Sequence, residues 1–159
     1  TPWCPRRFLL DFVKQCRRCA TPWTSIRDST NKMKVIGIGI DVVEVDRIKS
    51  SLEEFSERFL SRVFTRLERE YCQKQKMPEL HLAARFAAKE AIAKAFGTGI
   101  GKEIGWLDME ILRKESGEPE VQLRGDARGY AKQRGVEQIM VSLTHAKQYA
   151  AANAVILGA

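Results

Sequence analysis

Apolar and polar positions change their rhythm several times along this chain. The run Lys-Val-Ile-Gly-Ile-Gly-Ile40 is rich in β-branched residues and predicts a buried strand over 35–40. Val45, Ile48 and Leu52 then fall on one helical face, which predicts a helix over 42–52. Residues 55–64 continue helically after a bend. Thr65-Arg-Leu-Glu68 has the spacing of a capping box, so a new helix starts there, runs to about residue 76 and stops before Pro78. The longest predicted helix spans 79–96 and is rich in Ala, Leu, Lys and Glu. Gly97 supplies its left-handed end. Residues 106–113 and 120–124 read as strands around a turn at 114–119. A short helix at 126–134 ends at Gly135, and two further strands follow at 138–144 and 149–157. Helices mixed with closing hairpins indicate an α+β fold, an antiparallel sheet packed with a long helix.

Residues 1–32 differ in kind. They hold Pro2, Pro5 and Pro22 and show no sustained period, whereas Met33 looks like a natural start. The reading is an N-terminal extension, poorly structured apart from a short helix at 8–19, ahead of one domain at 33–159. The extension is an upstream remnant or a transit peptide, being basic, Ser/Thr-containing and poor in acids. The net charge of +7 concentrates there. Seven basic residues face two acidic ones in 1–32, against 20 and 18 in the remainder. A global nucleic-acid-binding reading therefore loses its main support. No apolar run approaches the ~20 residues that span a bilayer. Cys16-Arg-Arg-Cys19 has zinc-like spacing but no second pair, so the reading is free thiols in a reducing compartment. That implies a cytoplasmic protein, or a plastid or mitochondrial one if the extension is a transit peptide.

Two segments carry chemistry. Asp41 and Glu44 stand where the first strand stops. As a local pattern they fit a helix N-cap with its reciprocal acid. A carboxylate oxygen left free there also suits a hard ion such as Mg2+. Glu90 and Lys94 are four apart on the long helix, hence neighbours. They form either a surface ion pair or part of a ligand site, and the small residues Ala87, Ala88, Ala91, Ala93 and Ala95 around them favour close approach. Gly97-Thr-Gly-Ile-Gly-Lys102 has glycines beyond what a helix cap needs, but Glu103 breaks the Walker pattern. Val42 likewise breaks a dinucleotide fingerprint after Gly37 and Gly39. There is no Ser-His-Asp signature. His81, on the long helix, reads as structural or solvated.

Together, Gly37-Ile-Gly-Ile-Asp-Val-Val-Glu-Val-Asp-Arg-Ile48, Arg85-Phe-Ala-Ala-Lys-Glu-Ala-Ile-Ala-Lys-Ala-Phe-Gly-Thr-Gly-Ile-Gly101 and Val141-Ser-Leu-Thr-His-Ala-Lys-Gln-Tyr-Ala150 resemble the holo-acyl-carrier-protein synthase family, the small phosphopantetheinyl transferases. The likeness covers 33–159 in order. It implies Mg2+-dependent transfer of 4′-phosphopantetheine from coenzyme A to a serine of an apo acyl carrier protein, leaving adenosine 3′,5′-bisphosphate. It also implies roles. Asp41 and Glu90 are metal ligands, with Glu44 acting through water. Lys94 lies near the diphosphate. Lys89, Gly97, Thr98 and Gly99 run along the coenzyme, and Ser142 and His145 approach its phosphates. The general base is Glu90 or a metal-bound water. The acidic partner would dock on Arg47, Arg58 and Arg62, continued by Arg66 as a helical stripe, although Glu53, Glu54 and Glu57 interrupt the basic surface. The family is typically a homotrimer with shared active sites, and neither nucleic acid nor membrane is an expected partner. The alternative is a non-catalytic acyl-carrier-protein or coenzyme-A-binding module of the same fold.

Overall fold

The computed structural model describes residues 33–159, and the expected N-terminal extension lies outside them. The first strand, β1, spans Lys34–Glu44 and is followed by α1 (Val45–Val63), α2 (Arg66–Gln73) and α3 (Pro78–Phe96). A 3-10 turn at Trp106–Asp108 leads into β2 (Met109–Arg113) and β3 (Pro119–Leu123). Helix α4 (Gly125–Gln133) precedes the closing strands β4 (Val136–His145) and β5 (Tyr149–Gly158). The sheet order is β1-β5-β4, antiparallel throughout, with β2 and β3 forming a separate hairpin. The α+β expectation is met.

Strand β1 is longer than its apolar run suggested, and it is not buried on both faces. Asp41 pairs with Ala152 and Glu44 with Tyr149, so the ladder continues four residues past Ile40. Asp41 is therefore an interior strand residue and not a helix cap. Glu44 takes the N-cap position of α1 without a side-chain cap bond. Alternation sends Gly37, Gly39, Asp41 and Val43 inward. Ile38 and Ile40 point outward, 69% and 65% exposed, with Val42 exposed beside them.

Helix α3 lies across the inner face of this sheet. Its alanines Ala83, Ala84, Ala87, Ala88, Ala91 and Ala95 are buried. Small side chains on the helix meet glycines on the strand, so the two backbones come into direct contact. Gly97 ends α3 at φ 76°, the left-handed cap that its sequence position predicted. The bend expected in α1 falls at Ser56, where φ is 42° and ψ −123°. The capping box at Thr65 forms as read: Glu68 N–H donates to Thr65 Oγ1 and Thr65 N–H donates to Glu68 Oε2. Because α1 ends at Val63, Arg66 starts a different helix and pairs with Glu70, so the arginine stripe is not continuous.

Candidate active site

The inward pleat of β1 brings Asp41 against α3. Lys94 Nζ donates to Asp41 Oδ1 at 2.7 Å and to the Ile40 carbonyl at 3.3 Å. The lysine expected beside Glu90 is thus anchored to the strand acid. That hydrogen bond holds the Lys94 ammonium above the usual lysine range. Glu90 stands half-buried one turn earlier. Its carboxyl is pushed up, first by burial and then by the negative charge of Asp41, with Lys94 opposing. Two carboxylates from distant segments therefore act on each other across one strand–helix contact.

The remaining expected residues distribute unevenly. Glu44 is exposed three residues along β1, on the opposite pleat from Asp41, and is not among the groups that act on Glu90. Gly97 and Gly99 adopt positive φ, and the Gly99 N–H donates to the Ala93 carbonyl. Thr98 spends its hydroxyl on the Gly99 carbonyl at 2.9 Å. Arg47, Arg58 and Arg62 are exposed on α1.

Lys89 requires a correction. It is wholly buried, so it cannot run along a coenzyme as expected. Its ammonium donates to Glu68 Oε2 at 2.7 Å and to the Val63 and Trp106 carbonyls at 2.8 Å each. Glu68 also accepts from the Ile111 N–H and the Thr65 N–H. Burial pushes the Lys89 ammonium below its ordinary value against the pull of Glu68. The pair joins the end of α1, the start of α2, the 3-10 turn, β2 and α3 at one point. Lys89 and Glu90 are adjacent in sequence yet face opposite environments. One locks the helix into the core and the other stands half-buried beside Asp41 and Lys94.

Ser142 and His145 also part company. Ser142 pairs with Asn153 on the outer face of the sheet, beside Ile40. His145 has the opposite parity and enters a cavity of about 220 Å³. Within one chain, Ser142 therefore does not join His145. The cavity is lined by Tyr71, His81, Arg85, Arg113, Leu143 and His145, among others, and no carboxylate among the described residues lines it. Arg85 lies 4.2 Å over the Tyr71 ring and donates to the Ile111 and His81 carbonyls. Arg113 donates to the Tyr71 hydroxyl at 3.1 Å. The sequence gives no functional role to Arg85 or Arg113, and it reads His81 as structural or solvated. The four-residue spacing of His81 and Arg85 on one helix face was the available signal.

The model of the 4′-phosphopantetheinyl transferase superfamily matches residues 37–154. A curated holo-[acyl-carrier-protein] synthase from Protochlamydia amoebophila is 44% identical over 120 residues, covering 76% of this chain and 96% of the relative. Among solved structures, the holo-[acyl-carrier-protein] synthase from Neisseria meningitidis superposes with a TM-score of 0.73 at 30% identity, covering 77% of this chain and 98% of that one. A holo-(acyl-carrier-protein) synthase from Bacillus anthracis in complex with CoA (3′,5′-ADP) gives 0.67 at 34% identity, covering 80% and 100%.

Proposed function

The chain belongs to the 4′-phosphopantetheinyl transferase superfamily, and from that membership we propose that it moves the phosphopantetheine arm of coenzyme A onto a serine of an apo acyl carrier protein, with Mg2+, releasing adenosine 3′,5′-bisphosphate. The observation that carries this reading is the meeting of Asp41 with Lys94 and Glu90.

The residues fit a divalent ion. Asp41 and Glu90 offer hard oxygen donors, and their mutual repulsion is what a cation relieves. Mg2+ binds through one or two carboxylates and keeps positions for phosphate oxygens and water. When bound there, the ion would withdraw charge from the diphosphate. The chain's own groups do the rest. Lys94, half-exposed, orients Asp41 and offers its ammonium to charge that develops on phosphate oxygens. Glu90, or a water beside it, accepts the proton of the incoming serine. The nucleophile comes from the partner, in keeping with the lack of a Ser-His-Asp signature.

The cationic cavity suits the coenzyme's other phosphate. Arg85 and Arg113 are already held by neutral partners, so both keep their charge available. The exposed Arg47, Arg58 and Arg62 suit an acidic carrier protein. The exposed Ile38, Ile40, Val42, Met140 and Tyr149 give one sheet an apolar outer face, a surface suited to assembly with copies of the chain, as in the expected homotrimer. No helix among the described residues is long and apolar enough to cross a membrane.

The test is mass spectrometry of an apo acyl carrier protein incubated with coenzyme A, Mg2+ and the full chain. The expected result is a gain of one phosphopantetheine arm. Coenzyme binding without that gain would instead make the chain a binding module.

A further inference from the structure

We propose that His81 is a phosphate-binding residue: with His145 it forms a clamp that takes up a proton when the phosphomonoester of the coenzyme enters the cavity between α3, β2 and β4. This rests on the coenzyme reading above and adds to it a residue and a proton.

The geometry comes first. The two imidazoles meet edge to face with centroids 4.9 Å apart, and the Tyr71 ring meets His81 edge to face at 6.1 Å. The groups facing His81 are Tyr71 from α2, Arg85 and Glu79 from α3, Arg113 from β2 and His145 from β4. Among the described residues Glu79 is the one acid that acts on His81, and it does not line the cavity. Two guanidiniums and two imidazoles therefore converge on one concave space. An anion entering that space would meet both guanidiniums and both rings.

The protonation follows. His81 is held below its ordinary value by burial first, and then by His145, Arg85 and Arg113. It is neutral in the free protein near neutral pH. A phosphomonoester with a second pKa of about 6 arrives mostly as a dianion. Such a charge beside the imidazole favours its cationic form, so a proton passes from solvent to the His81 ring as the ligand binds. The diphosphate of the coenzyme has no ionisation near neutrality, so this linkage belongs to the monoester alone. Affinity then falls by up to about tenfold per pH unit between the free and bound values.

Calorimetry on the full chain tests this. Coenzyme A and dephospho-coenzyme A are titrated at about pH 7.5, above the ordinary histidine range, in two buffers of different ionisation enthalpy. Proton uptake with coenzyme A, little with dephospho-coenzyme A, and its loss in His81→Gln and His81→Phe support the clamp. Equal uptake with both ligands, or full uptake in the folded His81 variants, overturns the clamp and leaves the coenzyme reading standing. Binding of neither ligand overturns both. The comparison of the two ligands needs no variant, so a variant that fails to fold does not remove the test.

Discussion

Gly39 of β1 and Ala91 of α3 are packed so closely that a Cβ on the glycine would stand 2.0 Å from the Ala91 carbonyl oxygen. Gly37 has the same relation to Ala95, at 2.1 Å. The obstacle is backbone, which cannot step aside as a side chain can. This contact sets the distance between the strand that carries Asp41 and the helix that carries Glu90 and Lys94.

Gly39→Ala should therefore cost stability and chemistry together. Overpacking of this kind destabilises by about 1–3 kcal/mol or more. The denaturation midpoint should fall. The folded fraction should also transfer phosphopantetheine more slowly, because Asp41 is pushed from its partners. A variant with wild-type midpoint and rate would show that the contact is not needed.

The two lysines of α3 should behave oppositely. Lys89→Met leaves Glu68 buried without its cation, a loss of about 3–5 kcal/mol. Lys94→Met removes a half-exposed pair worth about 0–1 kcal/mol. Urea denaturation should single out Lys89, and the mass-spectrometric transfer assay should single out Lys94.

Asp41→Ala and Glu90→Ala should each lower turnover by about 10²–10³-fold or more, the scale of losing one electrostatic contributor to a transition state. Thermal midpoints should change little, since neither side chain is fully buried. Chelation of divalent ions with EDTA should stop the wild-type reaction, and Mg2+ should restore it. Turnover that survives chelation would dismiss the metal.

Stability should fall on the acid side through His81. Its folded value lies below the ordinary 6.5, so between the two the unfolded chain binds more protons. Stability rises with pH across that window and drops as pH falls through it. Melting curves of the ligand-free chain should show a shallower acid decline in His81→Gln than in the wild type. Bound phosphomonoester should reduce this decline, because it favours the protonated ring.

Ile40→Asp should disperse any assembly that uses the outer sheet face while leaving the inner pleat intact. Sedimentation should show a smaller species than the wild type forms. An unchanged sedimentation coefficient would place the contact elsewhere.

Much of this was legible along the chain. Helix α3, its glycine end, the Thr65 capping box and the closing strands follow from local pattern, because caps and periodicity are local physics. The acids were visible as candidates, since Asp41 ends an apolar run and Glu90 neighbours Lys94. What stayed hidden was long-range. The run at 35–40 suggested a strand buried on both sides, yet its apolar members face out while its glycines face a helix backbone. The resemblance alone placed Lys89 along the coenzyme, and its partner Glu68, 21 residues earlier, could be read locally only as a cap. His81 looked ordinary because its companion His145 arrives only when β4 folds beside α3.

Strand β1 gives neighbouring residues opposite duties: Asp41 turns toward the chemistry and Ile40 away from it, into whatever covers the sheet. A single peptide plane separates the two. If copies of the chain meet on that face, diluting them apart should loosen the acid's footing as well, and catalysis should fade over the same range of protein concentration as the assembly.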